Sequence, residues 1–119
     1  MNILRTWDEL ARALDAPLHP TAKSILTGHR ERLAEFDDLQ LSDLAAVFIF
    51  EPGDQPADLE EASGIAILDD PPDWEYLHHH DGWFECVWVL SDDGFGWIVL
   101  IPDDPGTYPA MLEFCRIHA

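Results

Sequence analysis

Three consecutive histidines, His78-His79-His80, with Glu75 three residues before the first, are the residue types in this chain that most directly suggest chemistry. A Glu-x-x-His pair puts both side chains on one helix face. It serves carboxylate-bridged metal pairs when a second such pair and further glutamates accompany it, and the sequence holds no second pair. Consecutive residues also diverge by about 100° on a helix and point to opposite faces on a strand, so three adjacent imidazoles do not converge on one ion. The run fits a helix end, where imidazole meets the negative end of the helix dipole and neighbouring acids. No metal and no cofactor is therefore expected. His29, on an apolar helix face, reads as a packed, hydrogen-bonded residue rather than a catalytic base, and His118 lies in a terminus expected to fray. Cys86 and Cys115 read as small buried hydrophobes rather than as a bridge.

Five adjacent acidic pairs form the other candidate: Asp37-Asp38, Glu60-Glu61, Asp69-Asp70, Asp92-Asp93 and Asp103-Asp104. A catalytic dyad needs two carboxyls held face to face or across a substrate, whereas sequence neighbours diverge. Most of these pairs fall at turns or element ends, where aspartate accepts local backbone hydrogen bonds. That explains their positions but not their lack of basic company. The first 36 residues balance five acids with five bases, while the remaining 83 hold 19 acids and the single base Arg116, so the whole net charge of −18 belongs to them. The Trp and Phe residues concentrate in that same acidic stretch, which makes it a folded body rather than a solvated tail. Glycine-rich phosphate loops, a Gly-x-Ser-x-Gly elbow and a Cys/His nucleophile arrangement are all missing. Direct nucleic-acid binding is disfavoured without a basic patch.

The elements that must carry these residues follow from period and punctuation. At 119 residues and 47% hydrophobic content the chain reads as one domain, 1–119, helical and charge-balanced over 1–43 and strand-rich and acidic over 44–119. Thr6 and Glu9 form a capping box ahead of a helix with Trp7, Leu10, Ala11 and Leu14 on one face, ending at Pro17. A second helix starts at Pro20 or Thr21 and turns Ile25, Leu26, His29, Leu33 and Phe36 inward, with Gly28 as a point of weakness or breakage. Leu44–Glu51 reads as a strand closed by Pro52-Gly53, Pro56–Ser63 as a helix ended by Gly64, and Ile65–Leu68 as a brief strand. Asp73–His80 is expected to form one or two helical turns. Trp83–Leu90 and Gly96–Ile101 read as an antiparallel hairpin, its first strand central and buried on both faces. A last helix begins near Pro109 and docks Met111, Leu112 and Cys115. The expected fold is α+β: a mainly antiparallel sheet of about four strands, with two N-terminal helices and a C-terminal helix packed on it.

The stretches Phe50-Glu51-Pro52-Gly53, Gly82-Trp83-Phe84-Glu85 and Val89-Leu90-Ser91-Asp92-Asp93-Gly94-Phe95-Gly96, with Cys115-Arg116, resemble a group of small acidic uncharacterised proteins encoded on proteobacterial plasmids and integrated mobile elements. The resemblance covers the C-terminal two thirds. It implies a genetic setting, with defence, anti-defence or transfer roles, and no active site.

The residues themselves point to a non-enzymatic acidic module that binds a basic protein. Its acidic surface would be Asp54, Asp58, Glu61, Asp69, Asp70, Asp73, Asp92, Asp93, Asp103 and Asp104. Duplex DNA carries about one charge per 1.7 Å of axis, and a chain this acidic has enough unpaired carboxylates to imitate it and occupy the cleft of a DNA-binding or restriction-type protein. An immunity or antitoxin role against one basic toxin is the alternative, and a small enzyme or ligand-binding domain with an acidic exterior is the second. The N-terminus, Met1–Asp8, lacks an apolar leader and no apolar run reaches bilayer length, so a cytoplasmic protein without membrane contact is expected; a homodimer is compatible with everything above.

Overall fold

Thr6 starts the first helix in the expected way: its hydroxyl accepts the Glu9 N–H at 3.1 Å. The return bond differs in detail, because the Glu9 carboxylate accepts the N–H of Arg5 at 3.0 Å, one residue before the cap. That bond holds the Glu9 carboxyl below its ordinary value. In the computed structural model, which describes residues 1–16, 19–36, 38–69, 74–89, 95–107 and 109–111 apart from the side chains of 74–76 and 89, this helix is α1, Trp7–Asp15. It buries Leu10, Ala13 and Leu14. The second helix, α2, runs unbroken over Pro20–Leu33, with Pro20 in its first turn and the Thr21 N–H donated to the ring Nδ1 of His19. Gly28 does not break it. A mid-helix glycine costs about 1 kcal/mol against alanine, which burial of Ala22, Ile25, Leu26 and His29 at helical spacing exceeds. Phe36 is not inward: it sits in a 3₁₀ turn, Ala34–Phe36, and is 48% exposed, because the tighter turn rotates it off the α2 stripe.

Among the described residues five strands form one mixed sheet: β1 (Asn2–Leu4), β2 (Ala45–Ile49), β3 (Trp74–His80), β4 (Trp83–Val89) and β5 (Gly96–Pro102), ordered β1-β2-β5-β4-β3. The four-strand expectation missed β1, a three-residue strand whose Leu4 pairs with Val47 and is buried. It was too short to show a period. The sheet is not wholly antiparallel, since β2 and β5 run parallel, Val47 opposite Ile98. The expected β4–β5 hairpin strands pair antiparallel, Cys86 opposite Val99, although their connection lies outside the described residues. β4 is internal, while β5 holds the middle.

The largest correction is β3. The segment expected to be helical pairs antiparallel with β4, His80 opposite Trp83 and His78 opposite Glu85. Asp81-Gly82 between them is a two-residue hairpin turn, with Gly82 at φ 81, and pairing to an already buried neighbour outweighs a helical preference that a few residues cannot nucleate. Ile65–Leu68 is also not a strand but a series of turns, with only Ile67 buried and Ile65 and Leu68 exposed.

Two short helices complete the described fold: α3, Leu41–Leu44, and α4, Pro56–Ser63, which ends at Gly64 in the left-handed region, φ 74. The helices divide between the sheet faces. On one face α1 and α2 cover Ala45, Val47, Ile49, Ile98 and Leu100; on the other, Leu59 of α4 with Ile67 and Met111 covers Phe48, Cys86, Trp88, Trp97, Val99 and Ile101. Residues 109–111 are helical, and the remainder of the expected C-terminal helix, with Leu112 and Cys115, lies outside the described residues. The result is a single α+β domain.

Candidate functional site

Strand alternation puts Trp83, Glu85 and Val87 on the α1/α2 face of β4, opposite Phe84, Cys86 and Trp88. Glu85 is therefore a carboxylate in an apolar layer, 7% exposed. Burying a carboxylate is costly unless it is hydrogen-bonded and paired. Two imidazoles meet that need. His29 of α2, itself 6% exposed, bonds Glu85 Oε2 through Nε2, and His80 of β3 places its Nε2 at 2.9 Å from Oε1. Behind His29 stands Arg32, one helical turn on, with Nη2 at 3.0 Å from His29 Nδ1 and 3.9 Å from Glu85 Oε2.

The tautomers follow from the partners. A carboxylate only accepts and a guanidinium only donates. So Nε2–H of His29 donates to Glu85, its Nδ1 accepts from Arg32, and Nε2–H of His80 donates to the other carboxylate oxygen. His29 is neutral in this arrangement. Burial holds its pKa below the ordinary value; the Glu85 charge pulls the other way, and Arg32 and His80 add to the lowering.

The three consecutive histidines go to separate places. His78 and His80 share the α2 side of β3, their rings edge to face at 4.6 Å. His79 points to the opposite face, against the ring of Phe84 at 4.5 Å, with Nε2 at 2.9 Å from Asp103 Oδ2. Among the described residues no group of three or more His, Cys, Asp or Glu is arranged to hold a metal ion. His29 is packed and hydrogen-bonded, as its place on the apolar face implied.

The acidic candidates separate into two kinds. Because β2 and β5 are parallel, the loops that follow them leave the same end of the sheet, where Gln55 Nε2 donates to the Gly106 carbonyl at 2.5 Å and the Gly53 N–H donates to the hydroxyl of buried Thr107. Asp54, Asp58, Asp103 and Asp104 belong to these loops and their flanks. Asp54 accepts the Glu51 N–H at 2.8 Å and lies 3.1 Å from the Met1 ammonium. Asp58 accepts the Gln55 N–H at 2.7 Å at the start of α4, and Asp104 accepts the Gly106 N–H at 2.9 Å. Glu61 and Asp69 are exposed. Asp70, Asp73, Asp92 and Asp93 lie outside the described residues, as does His118.

Sequence reading missed Glu85 and Arg32 as members of a site. The signal was present: Glu85 is the only charged residue between Trp83 and Leu90, at an inward position of a strand, and His29 is the only polar residue on the buried stripe of α2. Two buried polar residues on facing elements should find each other. A cleft of about 190 Å³ lies elsewhere, between Arg5, Ser42 and Ser63 over Phe48 and Phe95, and includes no member of the Glu85 cluster. No family model, curated protein or solved structure matches this chain. Among the described residues no helix is long and apolar enough to cross a membrane.

Proposed function

We propose that the protein is an acidic binding module for a basic protein partner, and that it acts by imitating the phosphate charge of DNA. The observation that carries this reading is a net charge of −18 on a folded domain whose acids outnumber its bases four to one. Such a field attracts a cationic cleft over several ångströms and speeds its encounter. The four aspartates around the paired loops support it, because backbone N–H groups fix the carboxylates of Asp54, Asp58 and Asp104 and the His79 ring fixes that of Asp103. A fixed charge loses less conformational freedom on docking than one on a mobile tail. A carboxylate has about four acceptor sites, so each of these has some left for a lysine or arginine. A setting in mobile elements, which the resemblance implies, suits an inhibitor of restriction-type proteins.

The test is competition. The protein is titrated into complexes of labelled duplex DNA with a panel of basic DNA-binding proteins, at several salt concentrations. Displacement of DNA that weakens steadily with salt is expected. Absence of displacement across the panel at low salt overturns the mimic. Recovery from a lysate of a single stoichiometric partner that binds no DNA would favour the immunity role instead.

A further inference from the structure

Glu85 and His29 are buried, and docking through surface carboxylates calls on neither. Their cluster is the polar joint between the two halves of the chain: α2 supplies His29 and Arg32 from the charge-balanced part, while the β3–β4 hairpin supplies His80 and Glu85 from the acidic part. We propose that His29, Glu85, His80 and Arg32 form a proton-operated latch between α2 and the β3–β4 hairpin, closed while His29 is neutral and loosened when its Nδ1 takes a proton.

The geometry dictates what that proton does. Nδ1 of His29 accepts from Arg32 at 3.0 Å; once protonated it becomes a donor facing a donor. The bond is lost and two cations stand within contact distance. Arg32, whose side chain is 67% exposed, can swing into solvent, but His29 and Glu85 cannot follow without opening the helix–sheet contact. Glu85 and Arg32 are of opposite charge, and a proton on His29 adds a positive charge to a buried ring beside that guanidinium. Among the described residues, the charged and titratable groups facing His29 are Arg32 from α2 itself, Glu85 from β4 and His80 from β3, with His78 edge-on behind His80. From α1 the core cluster receives Trp7, Leu10, Ala13 and Leu14, and from β5 Ile98 and Leu100, all apolar.

Burial, opposed only by Glu85, leaves His29 harder to protonate in the closed form than in an open one. The open form therefore binds more protons below the ordinary imidazole value near 6.5. The closed form is fully favoured above that value and loses ground as pH falls below it, down to the lower pKa of the closed state.

The experiment is hydrogen exchange of the α2 amides from pH 7.5 to 5.5, corrected for intrinsic rates, alongside ring-nitrogen NMR of His29 in the unmodified protein. His29→Gln is the control, since its amide can donate to Glu85 and accept from Arg32 without titrating. In the natural chain the ring spectrum should show the Nε2–H tautomer at neutral pH, protonating below the ordinary value. The α2 opening equilibrium should grow by up to about tenfold per pH unit, the limit for one linked proton, and stay flat in His29→Gln. An Nδ1–H tautomer, protonation at or above the ordinary value, or α2 protection that does not change across the window would each overturn the latch. Should His29→Gln fail to fold, the two measurements on the natural chain decide.

Discussion

Glu85 occupies a strand position that would ordinarily hold a valine or leucine, and its neighbours across the ladder, Leu100 and Val87's partner Ile98, are such residues. What keeps a carboxylate there is that both of its oxygens are occupied by imidazole donors. A net hydrogen bond contributes only about 1 kcal/mol, but an orphaned buried donor costs about 1–3 kcal/mol. Glu85→Ala should therefore destabilise the fold by about 1–3 kcal/mol through His29, because half-exposed His80 can turn to water and buried His29 cannot. Urea denaturation measures this, and an unchanged midpoint would mean that His29 finds another acceptor. The site was half legible in the sequence. A polar residue on the α2 stripe marked His29 as hydrogen-bonded, but the identity of its acceptor needed the facing of α2 on β4, which no local pattern contains. His80 was masked by its two neighbours: the run drew attention as a triplet, whereas alternation on a strand sends its middle member to the other face.

At the scale of elements, β3 shows what decides a short ambiguous segment. Trp74–His80 has neither a clean helical nor a clean alternating pattern, and its fate is set by Asp81-Gly82, a dipeptide that signals a hairpin when it separates two strand-compatible runs. Gly82 sits at φ 81, where a Cβ costs about 1–2 kcal/mol. Gly82→Ala should lower stability by that amount and weaken amide protection in β3 and β4 more than in β1 and β2; equal loss throughout would argue that the turn does not control the hairpin. The elements with strong local chemistry were readable from residues alone: α1 from Thr6 and Glu9, α2 from Pro20 and the inward Ile25, Leu26 and His29, α4 from Pro56 and Gly64, and the β4–β5 pair from its aromatic and β-branched runs. Those that were not depend on distant partners. β1 is a strand because β2 offers an edge, Ile65–Leu68 is not one because it pairs with no strand in the sheet, and the parallel β2–β5 pairing is a property of topology rather than of either sequence.

The whole molecule carries −18 at a radius of gyration of 13.5 Å, about the value expected for a compact domain of this length. The charge has not expanded it, so two cores, one on each sheet face, hold against the repulsion. Screening should then stabilise the protein, and its melting temperature should rise with added monovalent salt. Which carboxylates can be removed to test binding depends on what each does in the fold. Asp58 and Asp104 hold backbone N–H groups, so neutralising them confuses lost charge with a weakened helix start or turn. Glu61 and Asp69 are exposed, and exposed substitutions of this kind shift stability by only about 0.5 kcal/mol. The double variant Glu61→Gln with Asp69→Asn should melt at or slightly above the natural protein. It should also displace DNA from a basic partner somewhat less well and with a shallower salt dependence, because a surface that works by summed charge loses a fraction of its affinity with each fraction of its charge. A variant that binds as before would place the contact elsewhere on the surface, and one that loses binding altogether would replace charge imitation with a hot spot centred on one of these two residues.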